Sequence, residues 1–344
     1  MSSSGAVAPA TGRSFPAAAS EGVEEQYMMG TLAERNHWFP VAFADSLDES
    51  TLIPFDLFNV PWVAFRNAEG DAGCIKDECA HRACPLSLGK LVEGKVQCPY
   101  HGWEYTIGGE CTKMPSIKKL LPNVYVDAAP VVERDGLLYL WAGQWAGPGQ
   151  EEEVMSELPE SLSLPAGFET MAEVTVEINM EAQEVIGRLM DVDGRSARAP
   201  KVEFENAFDE ISDDVFPKIL AGIIRGLRKP VPRSTVFRPT CTLESTIALE
   251  GGPGEWNVHQ THVVLPARPG KSRVLFRFAA DFVPLPGLSR SVLGQVWQNL
   301  AEMVLHEQLE EVRGGGSDVD GAQDALASYE EFREEVSAPM ASRK

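Results

Sequence analysis

Two short stretches, "CAH" at 79–81 and "CPYH" at 98–101, each pair one cysteine with one histidine. Thiolate and imidazole are the side chains that soft and borderline transition metals prefer. With six cysteines and six histidines in 344 residues, so regular a double pairing is not a product of composition. Any fold the chain adopts must therefore press two loops together, so that Cys79, His81, Cys98 and His101 face one centre. Pro85, Pro99 and Gly102 beside these residues suit the tight turns such loops need.

The ligand order is C-x-H, a gap of sixteen residues, then C-x-x-H. That is the spacing of a Rieske [2Fe-2S] centre, in which two cysteines hold one iron and two histidines the other. A Cys2His2 zinc site uses the same residue types, but zinc fingers keep the cysteines in one pair and the histidines in another. Neutral imidazoles in place of two thiolates raise the reduction potential over that of an all-cysteine cluster, which suits the passage of single electrons.

At 44% hydrophobic residues the chain can fill two cores of ordinary size. A formal net charge of -21 speaks against nucleic acid as a partner, because phosphates would be repelled without a segregated basic face. The acid is uneven: residues 60–125 carry 8 Lys/Arg against 7 Asp/Glu, so the least acidic part surrounds the Cys/His pairs. The other cysteines, Cys74, Cys84, Cys111 and Cys241, are too few and too irregular for a disulfide framework and indicate a reducing compartment. No apolar run reaches the eighteen residues of a membrane-spanning helix.

Residues 1–34 read as a transit-like or disordered N-terminus, rich in Ser and Ala at its start. "HWFPVAF", "VPWVAFRNAEGDAGCIKD", "YTIGGECTKMP" and "GLLYLWAG" are short strands separated by turn residues, which makes 35–145 an all-β Rieske [2Fe-2S] domain. Gly, Pro and Glu without periodicity mark a linker over 146–167. From 168 to 336, "ETMAEVTVEINM", "STVFRPTCTLESTIALE", "EWNVHQTHVVLPA" and "SRVLFRFAADF" predict an antiparallel sheet, with one helix ending near Met190 and a longer one over 291–312. The expected fold class is α+β.

The likeness extends well past the four ligands. "WFPVAF", "TLIPFDLFNVPWVAFRN", "GCIKDECAHRACPLSLGKLVEGKVQCPYHGWEY" and "CTKMPS" resemble the Rieske domain of the chlorophyllide a oxygenase family, and a thinner similarity runs through "EVTVEINM" and "HQTHVVLP" to "ASYEEFR". The resemblance implies a helix-grip second domain, an antiparallel sheet plus a long C-terminal helix. It implies that the cluster takes electrons from ferredoxin and feeds a mononuclear non-haem iron held by two His and one carboxylate. There the C7 methyl of chlorophyllide a, or of chlorophyll a, becomes a diol and loses water to give a formyl group. It also implies a chloroplast protein on the stromal side, peripheral to the thylakoid or inner envelope membrane. Where respiratory and photosynthetic Rieske proteins carry a disulfide between the two loops, this chain has Cys84 and Tyr100, so Cys84 is expected to be a thiol and the cluster to be of the lower-potential oxygenase type.

The family's iron ligands do not carry over. The motif aspartate is kept as Asp191, but Gly194 and Ala199 stand where the two histidines belong, and Leu300 where the carboxylate belongs. His259 and His262 are three apart on a predicted strand, so they face opposite sides of the sheet and cannot share an ion. His306 lies on the late helix and His37 in the first domain. Arg188, Arg195, Arg198 and Lys201, like "RGLRKPVPR" at 225–233, read as a solvated face or as a contact for an acidic group. The expected role is the Rieske electron-transfer subunit of a split chlorophyllide a oxygenase, inactive alone, in a trimer-like hetero-oligomer with a partner chain that keeps the mononuclear iron. The catalytic-type domain at 168–336 is then degenerate, and the cluster ligands Cys79, His81, Cys98 and His101 are the functional set. A non-catalytic regulatory or structural paralogue and a self-sufficient oxygenase with unusual iron ligation are the alternatives. Lys76, Arg82, Lys90, Lys95, Lys113, Lys118 and Lys119 are the candidate contacts for an acidic ferredoxin.

Overall fold

The computed structural model describes residues 32–143, 158, 161–193, 229–251 and 254–282, and then 294, 297–302, 304, 305, 308, 328, 329, 331, 332 and 334. The chain divides into two compact units, Met1–Leu162 with Leu265–Lys271 and Val336–Lys344, and Ser163–Val264 with Ser272–Glu335. Most of the expected N-terminal segment and of the 146–167 linker lies outside the described residues.

In the first unit a single helical turn, α1 (Leu32–Arg35), leads into β1 (Trp38–Phe43). There follow β2 (Ile53–Leu57), β3 (Val60–Arg66), β4 (Ala72–Lys76), the short strands β5 (Lys90–Val92), β6 (Lys95–Gln97), β7 (Glu104–Tyr105) and β8 (Cys111–Lys113), and then β9 (Ala128–Ala129), β10 (Val131–Arg134) and β11 (Leu137–Trp141). They make three sheets, ordered β1-β11-β10, β2-β3-β4-β9 and β5-β6-β7-β8. β1 lies at a sheet edge, which is where a strand tolerates Pro40, and its register slips between Pro40 and Ala42.

Three two-residue hairpins have both central residues at positive φ: Phe58-Asn59, Glu93-Gly94 and Asp135-Gly136. That backbone matches the twist of the flanking strands. At Gly94 nothing larger fits, because a Cβ would come within 2.0 Å of the Ala68 nitrogen. Val63, Phe65, Ile75, Leu86, Val96 and Tyr105 are buried together with Cys79 and Cys98, so the two loop cysteines are anchored in the unit's own core. Burying a side chain such as Phe65 or Ile75 stabilises by about 2–3 kcal/mol, which fixes the strands from which the two loops spring.

The second unit is built on one antiparallel sheet, β12 (Glu169–Ile178), β13 (Lys229–Arg238), β14 (Thr242–Glu250), β15 (Trp256–Arg268) and β16 (Lys271–Ala280), in the order β12-β16-β15-β14-β13. The run expected as one strand over 234–250 is two strands, β13 and β14, parted at 239–241. On helix α2 (Ala182–Asp193), Ala182, Val185, Ile186, Leu189 and Met190 recur at helical spacing and pack with Val174, Leu243, Val264 and Phe276 of the sheet. Trp297, Ala301 and Leu305 join the same core. The described residues at 294, 297–302, 304, 305 and 308 are helical; the rest of the helix expected over 291–312 lies outside the described residues.

Candidate metal centre

The two Cys/His loops are closed in the same way. In the first, Ala83 N donates to Cys79 O (2.7 Å) and Cys79 N to Cys84 O (2.9 Å). In the second, Gly102 N donates to Cys98 O (3.0 Å) and Cys98 N to Trp103 O (2.8 Å). Each loop turns through a residue at positive φ four places after its cysteine, Ala83 at 50° and Gly102 at 72°. The first follows β4; the second is the hairpin loop between β6 and β7.

Side chains outside the motif hold these loops. Asp77 accepts from Ser87 N and Ser87 Oγ, both at 2.6 Å, and ties the exit of the first loop to the end of β4. Glu104 accepts from Gln97 Nε2 (2.6 Å) and Lys113 Nζ (2.7 Å), bracing the strands that carry the second. Nothing local in the sequence announces either brace.

All four predicted ligands come together. The sulfurs of Cys79 and Cys98 are buried neighbours, and the Nδ1 atoms of His81 and His101 lie 3.0 Å apart. The edge of a tetrahedral site with metal–nitrogen bonds of about 2 Å is ~3.3 Å, so one metal ion fits between the imidazoles. Among the described residues no three His, Cys, Asp or Glu side chains converge on one metal position. A Cys2His2 zinc ion requires all four ligands on one atom, whereas a two-iron cluster takes two protein ligands per iron. The residues fit the cluster.

The electrostatics agree. Burial, then the charges of His101 and Arg82, hold the His81 imidazole below its ordinary pKa, in the neutral form that a metal ligand needs. Burial pushes the Cys79 thiol up, opposed by a hydrogen bond from Tyr105. The Tyr105 phenol, itself raised by burial and by Cys79, stays protonated 3.2 Å from the Cys79 sulfur and accepts from Ala80 N at 3.2 Å. His81 stacks flat on Trp103 (4.8 Å between ring centroids, 7°), and His101 lies under Tyr100, which is 61% exposed. Cys84 is a thiol, as are the other five cysteines. Tyr105, Trp103 and Tyr100 are the functional neighbours that the spacing argument missed; their only sequence signal is the aromatic content of "YHGWEY".

In the second unit, His259 and His262 do point to opposite faces. His259 Nδ1 meets Thr246 Oγ1 (3.0 Å), and its Nε2 lies 3.6 Å from Glu244, beyond hydrogen-bond length. His262 Nε2 meets Gln308 Oε1 (2.9 Å), whose amide donates on to Gln260 (3.0 Å). Leu300 packs against the apolar core. Gly194, Ala199 and His306, the side chains of Asp191 and Arg188, and the basic residues Arg195, Arg198 and Lys201 lie outside the described residues.

The Rieske [2Fe-2S] domain family matches residues 37–128, the span that holds both loops. The fold is similar to that of crystallised dicamba monooxygenase bound to 3,6-dichlorosalicylic acid, with TM-score 0.62 and 22% identity, covering 90% of this chain and 99% of that one. The chain thus carries a Rieske [2Fe-2S] domain. Over most of its length it is similar to the chlorophyllide a oxygenases of Chlamydomonas reinhardtii (38% identity, 89% of this chain and 49% of the relative) and Arabidopsis thaliana (36%, 81% and 52%), both named as chloroplastic. It spans about half the length of these curated relatives. No helix among the described residues is long and apolar enough to cross a membrane.

Proposed function

We propose that the chain is the Rieske electron-transfer subunit of a split chlorophyllide a oxygenase. Cys79 and Cys98 would hold one iron of a [2Fe-2S] cluster, and His81 and His101 the other. When bound, that cluster supplies single-electron transfer. The chain's own residues bury the sulfurs, favour the neutral form of the His81 imidazole and leave the histidine pair half-exposed. A plant-type ferredoxin is the proposed donor, and the acceptor a mononuclear iron on a partner chain in a trimer-like hetero-oligomer, where the C7 methyl of chlorophyllide a is oxidised to formyl. In a head-to-tail ring, donor and acceptor can reside on different chains, so loss of the iron from one chain does not end catalysis. The proposed location is the stromal side of the chloroplast, peripheral to the thylakoid or inner envelope membrane.

The observation that carries this reading is the contrast between four convergent cluster ligands and the residues Gly194, Ala199 and Leu300 at the family's iron positions. Iron analysis and EPR of the dithionite-reduced chain, purified alone without air, test it. Two irons per chain with only a Rieske signal are expected. Three irons, the third responding to nitric oxide, would make the chain a complete oxygenase instead. Replacing His81 and His101 by residues that cannot ligate should abolish turnover of the assembled complex; a regulatory or structural subunit would tolerate the change.

A further inference from the structure

From Thr112 to Val126 the chain contains no Asp or Glu, in a molecule with 51 of them. Pro115 to Asn123 is exposed throughout, and the exposed side chains include Ile117 (38%), Leu120 (44%) and Leu121 (51%). Large apolar side chains shown together to solvent mark a surface that something else covers. The segment is pinned at its base. Met114 is buried, Ile117 N donates to Met114 O (3.1 Å), Cys111 N to Val124 O (2.9 Å) and Val126 N to Gly109 O (2.9 Å).

Two contacts set it beside the metal centre. Pro115 Cγ lies 3.3 Å from where a Cβ on Gly102 would stand, next to His101. At the other end, Tyr125 lines an open groove of about 340 Å³ together with His81, Arg82 and Lys76. The charges are not equivalent. Lys76 pairs with Glu78 (3.1 Å) and Lys113 with Glu104 (2.7 Å), whereas no ion pair among the described residues engages Arg82, Lys90, Lys95, Lys118 or Lys119; of these five, Lys118 and Lys119 stand on the segment and Arg82 lines the groove.

We infer that Arg82, Lys118 and Lys119, with Ile117, Leu120, Leu121 and Tyr125, form the docking surface for an acidic one-electron carrier protein. The inference rests on the reading of this unit as an electron-receiving domain, and of the five candidate cations outside ion pairs it selects the three that stand on this segment or line the groove. Unpaired cations steer an acidic partner towards the least acidic part of the molecule. The apolar side chains then hold it, because their burial is favourable and indifferent to salt. An anionic lipid surface shares the charge argument, but the segment borders the groove at His81, where a protein donor gains and a lipid does not.

The test is the affinity of oxidised plant-type ferredoxin for the full cluster-bearing chain across a range of ionic strength, with the EPR spectrum as the check on integrity. Reversal of Lys118 and Lys119 to Glu should weaken binding roughly tenfold or more at low salt and flatten its salt dependence. Replacing Leu120 and Leu121 by Ser should weaken binding by a similar factor at every salt concentration. Wild-type affinity and salt slope in both variants would overturn the surface and leave the electron-transfer reading standing. No binding by the wild type would overturn both. Unchanged ferredoxin affinity with lost binding to phosphatidylglycerol vesicles would assign the segment to lipid and overturn the protein docking surface.

Discussion

Tyr105 occupies a position that no ligand motif names, yet its hydroxyl is 3.2 Å from the Cys79 sulfur. A hydrogen bond to a cluster sulfur disperses negative charge and favours the reduced state. Tyr105→Phe should therefore lower the midpoint potential by tens of millivolts, on the order of one charge-assisted hydrogen bond, with the iron content retained; EPR-monitored redox titration reads this directly. In the second unit, burial raises the Glu244 carboxyl, but His259 and Arg238 outweigh it and hold the group below its ordinary value of 4.5. A carboxyl depressed in the folded state stabilises fully above its unfolded value, and that contribution is lost as pH falls through the folded one. Unfolding by urea should accordingly show stability declining below about pH 4.5 in the wild type. Glu244→Gln should be less stable by about 1 kcal/mol at neutral pH and should show a weaker acid dependence.

At the scale of elements, the paired loops matter most, because their closing bonds repeat almost residue for residue. Gly102 holds φ at 72° with Pro115 against it. Gly102→Ala should cost about 1–2 kcal/mol in backbone strain and lower the fraction of chains that carry iron, measured as iron per chain after purification. The convergence of Cys79, His81, Cys98 and His101 was readable from sequence because the residue types and their short intervals are what one centre would demand. So were the alternating strands and the opposed faces of His259 and His262. The braces Asp77–Ser87 and Glu104–Lys113 were not, since each joins residues whose pairing depends on tertiary placement. The division of β13 from β14 falls at Pro239 in "FRPTC", which brings no N–H to a ladder; prolines inside β13 and β15 show that the residue alone does not end a strand.

The molecule is two units, and the four residues of the proposed cluster all lie in the first. The second has a separate core of α2, the five-stranded sheet and Trp297, Ala301 and Leu305. Anything bound only by the native state stabilises the unit that binds it. Stripping the iron with a chelator should therefore lower one calorimetric transition and leave the other in place. A single transition that shifts as a whole would show that the units unfold together. Composition foretold two cores and the acidity of the whole chain, but not which cations near the metal centre would stand outside the ion pairs of the described residues, because pairing is decided by tertiary placement. The loops' near-equivalence also has a limit: the histidine follows its cysteine by two residues in one and by three in the other. The sulfurs are related like the two hands of a clasp, while His81 rests on the buried ring of Trp103 and His101 under the exposed ring of Tyr100. Both imidazoles are half-exposed but unlike in their neighbours, so the centre is asymmetric before any partner arrives.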